Sequence, residues 1–131
     1  QSPVQLIKEA SALTYREGGI VELKVILRLK NASKQPFTRI TISDRVPMIA
    51  EVEHDVMGTL KPSTVFNDGR GSVVKWEIES LDKHEERVLA YKVRSKLAIL
   101  GAFTLPPATA RFFTEKGTKF LTHSNTVKVV P

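Results

Sequence analysis

Val73-Val74-Lys75-Trp76-Glu77-Ile78-Glu79-Ser80-Leu81-Asp82-Lys83-His84-Glu85-Glu86-Arg87-Val88-Leu89-Ala90-Tyr91-Lys92-Val93 reads as strand, polar turn, strand. Val74, Trp76 and Ile78 share one parity in the first arm, and Leu89, Tyr91 and Val93 share one in the second. A period of two places each set on one face of a half-buried strand. The single tryptophan therefore faces inward, as a buried Trp does in many small sandwiches of antiparallel strands. Nothing in this stretch is arranged for catalysis.

The same alternation continues on both sides. Val21, Leu23, Val25, Leu27 and Leu29 lie opposite Glu22, Lys24, Arg28 and Lys30, with Ile26 the exception. Gly18-Gly19 marks a turn before that strand, and Asn31 to Pro36 a loop after it. Phe37 to Ser43 forms the next strand, closed by Asp44-Arg45-Val46-Pro47, because proline cannot donate to a ladder. A weaker strand spans Ala50 to Met57. Asn67-Asp68-Gly69 is a tight-turn signal. Pro106-Pro107 interrupts Phe103 to Thr114, and Phe120 to Val130 closes the chain. Val4 to Lys8 opens it, and Glu9 to Arg16 reads as one or two helical turns. The sum is about seven to eight short strands. The predicted fold is all-β, a single antiparallel β-sandwich domain over residues 1–131. Leu27, Trp76 and Tyr91 are its expected core.

Composition agrees with that class. Hydrophobic residues are 41% and charged residues 26%, values of an ordinary globular domain. No apolar run approaches the roughly 20 residues needed to span a bilayer as a helix. Cysteine is absent, which removes disulfides, thiolate catalysis and cysteine-held zinc. The net charge of +6 comes from basic residues scattered among acidic ones. With 7% aromatics and no basic run, this footprint argues against nucleic acid as a partner. The start at Gln1-Ser2-Pro3 and the strand-like ending at Pro131 suggest a domain cut from a longer chain.

Three segments together resemble the immunoglobulin-like conserved repeat domain of bacterial and archaeal cell-surface proteins. The first runs from Gly18-Gly19 through Val25 to Leu29-Lys30-Asn31. The second is Phe37 to Pro47, with its Asp-x-hydrophobic-Pro corner. The third is Val74 to Ile78 with Leu81, then Glu85 to Val93. The resemblance implies an immunoglobulin-like sandwich used as a stalk, spacer or adhesion module, and it supplies no catalytic residues. The chain departs from the pattern at His84, where the family has glycine in the turn.

Candidate sites are few. Asn31-Ala32-Ser33 is a glycosylation sequon in a predicted loop. Glu51, Glu53 and Asp55 share a strand face beside His54, but that spacing reads better as a solvated face than as a metal site. Phe112 and Phe113 must point to opposite faces, so one is core; the other either forms an exposed apolar patch with Phe103 or Phe120, or is covered by a neighbouring loop or the next domain. Loops 44–50 and 61–70 are the expected partner contacts, through Arg45, Met48, Phe66 and Arg70. The chain is therefore expected to be a non-enzymatic structural or adhesion module of a prokaryotic surface or secreted protein. It would use no metal or cofactor and contact neighbouring domains or a protein partner. The alternative is an intracellular accessory domain that binds an extended peptide on a sheet edge.

Overall fold

The structure is a computed structural model that describes residues 2–16, 20–47, 50–53, 60–95 and 103–129. These residues form eleven strands: β1 (Val4–Arg16), β2 (Ile20–Asn31), β3 (Phe37–Pro47), β4 (Ala50–Glu53), β5 (Thr64–Asn67), β6 (Gly71–Leu81), β7 (Glu86–Ser95), β8 (Phe103–Leu105), β9 (Thr109–Thr114), β10 (Lys119–His123) and β11 (Val127–Val129). The count exceeds the expected seven to eight because β5 forms in a stretch read as loop, and because the last two expected strands are each split, into β8 and β9 and into β10 and β11. No helix occurs among the described residues.

One layer has the order β1-β2-β7-β4, the other β10-β9-β3-β6-β5, and β11 pairs with β8 separately. Every pairing is antiparallel. The inner faces meet in one apolar core, so the architecture is an antiparallel β-sandwich. Leu27, Trp76 and Tyr91 are all buried in it. The Trp76 and Tyr91 rings, one from each layer, lie 5.9 Å apart, and the Trp76 indole N–H donates to the Leu60 carbonyl at 3.0 Å. A buried indole is costly unless its N–H finds such a partner.

The helical reading of Glu9 to Arg16 is corrected. Strand β1 runs unbroken through it, paired with β2 from Val4↔Asn31 to Arg16↔Ile20, with a register shift between Ala12 and Thr14. Ladder partners on β2 override the local spacing of Ala10, Leu13 and Tyr15. The other punctuation acts as expected. Asn67 and Ser72 face each other across the Asp68–Arg70 turn, and Pro106-Pro107 separates β8 from β9.

Two non-glycine residues adopt positive φ: His84 at 59° and Arg39 at 52°. His84 sits in the β6–β7 turn, closed by the Glu85 N–H on the Asp82 carbonyl at 3.0 Å. The left-handed conformation there is one that glycine adopts without steric cost. Arg39 lies where the β3–β9 register shifts between Thr38 and Thr41. The resulting bulge lets both Phe37 and Ile40 point into the core.

Gly71 is required for a different reason. Its φ is +155°, and a Cβ there would lie 2.1 Å from the Val46 carbonyl oxygen. Gly69, at φ +86°, has open space around it. Gly69→Ala should cost about 1–2 kcal/mol, the left-handed penalty alone. Gly71→Ala should cost at least about 1 kcal/mol more, because β3 and β6 must part to admit the methyl. Urea unfolding of the two variants checks the ordering.

Candidate functional sites: a buried clasp and a charged face

The alternation of β1 puts Val4 and Leu6 inward, and the next residue on that face is Lys8. On β3 the inward set is Ile40, Ile42, Asp44 and Val46; on β7 it is Leu89, Tyr91 and Val93. All are buried, the charged ones included, with Lys8 and Asp44 each 1% exposed. Lys8 and Tyr91 come from one layer and Asp44 from the other, so the three polar groups meet across the sandwich.

The Lys8 ammonium donates to Asp44 Oδ1 at 2.7 Å and to the Pro106 carbonyl at 2.7 Å. The Tyr91 hydroxyl donates to Asp44 Oδ2 at 2.5 Å, and the Arg45 N–H donates to Asp44 Oδ1 at 3.0 Å. Asp44 thus accepts three hydrogen bonds over both oxygens, which is how a buried carboxylate is tolerated. Desolvation is the largest influence on each titrating group. It pushes the Asp44 carboxyl up and the Lys8 amine down from their ordinary values, while their mutual attraction opposes both shifts. The Tyr91 phenol is pushed up by burial and by the neighbouring carboxylate.

The backbone of Lys8 is tied as well. The Asn125 side chain accepts the Lys8 N–H at 2.9 Å through Oδ1 and donates to the Lys8 carbonyl at 2.9 Å through Nδ2. One amide side chain so replaces a ladder partner on the free edge of β1. Lys8 is a node joining β1, β3, the β8–β9 connection and the β10–β11 connection.

This clasp was absent from the site list drawn from the sequence. The signal was present, since a lysine and an aspartate both occupy inward parity. Reading Asp44 as a strand terminator and as the first residue of a contact loop hid it; β3 runs on through Pro47, with Asp44 buried.

The expected partner contacts fall elsewhere. Arg45 and Phe66 flank Val73 in one cross-strand row on the outer face of the five-stranded sheet. Arg45 forms a two-pronged pair with Asp68, at 2.7 and 2.6 Å, and the Arg70 N–H also donates to Asp68 at 3.0 Å. Two of the expected residues, Arg45 and Arg70, therefore gather at Asp68, and the Arg45 fork is already occupied within the chain. Phe66 is exposed, with the Lys75 ammonium 5.4 Å from its ring centroid. Met48 lies outside the described residues.

Asn31 is corrected in position. It closes β2, is fully buried, and its Nδ2 donates to the Gln35 and Leu81 carbonyls at 2.8 and 3.2 Å. Its Oδ1 accepts the Ser33 N–H and hydroxyl. The nitrogen a glycan would occupy is committed to holding the β2–β3 loop, so the folded chain presents no acceptor there.

Glu51 and Glu53 stand on β4 opposite Arg94 and Lys92, and Glu53 pairs with Arg94 at 3.5 Å. His54 and Asp55 lie outside the described residues. Among the described residues no group of three or more His, Cys, Asp or Glu side chains is placed to hold a metal ion. Phe112 is the core member of the Phe112–Phe113 pair and meets Phe37 and Phe120 on the inner side. Phe113 faces out beneath the Arg39 guanidinium, 4.2 Å from its centroid. Phe113 and Phe120 are thus on opposite faces and form no common patch. Around Phe113 lies a shallow depression of about 640 Å³ lined by Arg39, Thr41, Ser63, Glu77, Glu79 and Arg111 among others.

Several solved structures share this fold. The chain is similar to part of the GH20 exo-β-N-acetylglucosaminidase of Vibrio harveyi, with 12% identity over 95% of the chain and a TM-score of 0.55. It spans only 18% of that enzyme's length. A Bordetella pertussis protein assigned as ApaA aligns over 97% of this chain and 92% of its own, with 10% identity and a TM-score of 0.63. BslA, a bacterial hydrophobin, aligns over 98% and 95%, with 10% identity and a TM-score of 0.51. No protein-family description and no curated protein matches the chain. Likenesses at these identities show the sandwich and nothing of its use.

Two measurements probe the polar groups. Lys8→Met should cost about 3–5 kcal/mol in chemical denaturation, because it strands a buried carboxylate. Lys8→Met with Asp44→Asn should cost less than Lys8→Met alone, since the stranded charge is then gone; equal costs would show that Asp44 carries no charge penalty. Asp68 is held at about 2, first by the Arg45 hydrogen bond and then by the Arg70 N–H. Because this folded value lies below the ordinary 3.8, its contribution to stability is present above that pH and is lost as pH falls toward 2. In a carbon-detected NMR titration, Arg45→Gln should move the Asp68 midpoint up toward the ordinary carboxylate range.

Proposed function

We propose that this chain is a non-enzymatic structural or adhesion module of a prokaryotic cell-surface or secreted protein, with an immunoglobulin-like arrangement of strands. The observation that carries the reading is the use made of the buried polar groups. Lys8, Asp44, Tyr91 and Asn125 tie β1 to both layers and to the β10–β11 connection. A spacer must resist the peeling of its edge strands under load, and a polar tie on β1 resists that separation. The resemblance of the Gly18–Asn31, Phe37–Pro47 and Val74–Val93 segments to the surface-repeat family supports the same reading. So does His84, which takes a left-handed backbone at the position that family gives to glycine.

Localisation on intact cells of the source organism tests this directly. Antibody raised against the folded domain should label unpermeabilised cells or the secreted fraction. Label confined to the cytoplasm would sink the surface reading. The search would then turn to an intracellular partner presenting an extended peptide to the edge strands β5 and β10.

A further inference from the structure

The Lys8–Asp44 contact also has the geometry of a condensation reaction. Amide formation between an amine and a carboxylic acid needs four things: the two groups in contact, both in their neutral forms, a donor for the oxygen that gains charge, and exclusion of water. The first is met at 2.7 Å, with the carboxyl carbon one bond beyond Oδ1. The last is met because both side chains are fully buried. The Tyr91 hydroxyl at Oδ2 supplies the donor. The Pro106 carbonyl takes one Nζ–H and so fixes the rotation of the amine. From the geometry we infer that Lys8 and Asp44 join as an intramolecular amide that covalently links β1 to β3 across the sandwich.

Burial favours the neutral forms of both groups, since it lowers the amine and raises the acid. The amine lone pair attacks Asp44 Cγ, and charge collects on Oδ2 against the Tyr91 hydroxyl. The Nζ–Cγ bond forms and the Cγ–Oδ1 bond breaks. Oδ1 leaves as water, carrying the carboxyl proton and one of the two amine protons. Tyr91 keeps its own proton, and nothing is oxidised or reduced. Holding two reactants in this way is worth effective molarities of about 10⁵–10⁸ M in well-oriented systems. The product keeps two of the polar contacts, because Oδ2 still accepts from Tyr91 and the amide N–H still donates to the Pro106 carbonyl, while the Arg45 N–H gives up its Oδ1 acceptor. It also removes two charges from the interior, a gain that an ordinary exposed lysine and aspartate would lack. The inference stands apart from the surface reading, since it concerns the chain's own chemistry wherever the chain resides.

The decisive experiment is the intact mass of the folded wild-type chain, measured after denaturation, with fragmentation of its proteolytic peptides. The expected result is a mass one water below that of the sequence, and a branched peptide joining the Lys8 segment to the Asp44 segment. Lys8→Arg, which keeps the charge but offers no such amine, should restore the full mass. Tyr91→Phe should leave a mixture of linked and unlinked chains. A folded wild-type chain at full sequence mass overturns the inference. A water loss that persists in Lys8→Arg, or an ammonia loss that fragmentation places at Asn125, overturns it equally. None of these outcomes bears on the localisation test above.

Discussion

A lysine and an aspartate placed inside the sandwich constrain everything around them. Each buried charge costs several kcal/mol unless the site satisfies it fully. Asp44 reaches that state only with Lys8, Tyr91 and the Arg45 N–H all in place, and these come from three strands in two layers. The side-chain period in a strand is two, so a one-residue slip would carry Lys8 to solvent and leave Asp44 alone. An apolar pair at these positions would tolerate such a slip far better. The clasp therefore reinforces the register of β1, which the β2 ladder and the inward Val4 and Leu6 also specify. Asn125 completes the constraint by closing the Lys8 backbone on the exposed edge.

The fold was legible because its strands alternate cleanly. Leu23, Val25, Leu27 and Leu29, or Val74, Trp76 and Ile78, leave little choice of element or inward face, and the structure buries all of them. Misreadings arose where tertiary contacts overrule local pattern. Residues 9–16 carry a weak helical spacing, yet twelve ladder partners on β2 hold β1 extended from end to end. Asn31 matches a glycosylation triplet whose local sequence says nothing of the Gln35 and Leu81 carbonyls waiting beside it. The candidate site was harder still. Lys8 and Asp44 lie 36 residues apart, and Asn125 is 117 residues from Lys8. Alternation alone can flag each charged residue as inward, but only the packing of the layers shows that they answer one another.

Strain in the backbone marks two further decisions. His84 and Arg39 both accept a left-handed conformation that costs a bulky residue about 1–2 kcal/mol. At His84 the tight β6–β7 turn demands it, and the turn hydrogen bond between Asp82 and Glu85 follows. At Arg39 the bulge keeps the core in phase: without the extra residue, Phe37 and Ile40 could not both face inward. The displaced arginine then lies against Phe113, covering an aromatic ring that would otherwise be open to solvent. A single irregularity thereby serves the inner and outer faces of one strand.

The fold alone says little about what this domain does. A sandwich of this shape occurs within a glycosidase, in a hydrophobin and in a small ApaA protein, at identities near a tenth. A sandwich leaves function to whatever side chains are placed on its loops, faces, edges or interior. Here that placement is inside. The outer charges pair along the strands or turns, as Arg45 does with Asp68 and Arg94 with Glu53. The interior instead carries the Lys8–Asp44 contact, which bridges the layers at β1. Such an investment does little for ligand recognition, because no ligand can reach it. It makes sense as a device for holding β1 in place, and that is why the clasp, rather than the exposed face, carries the functional argument.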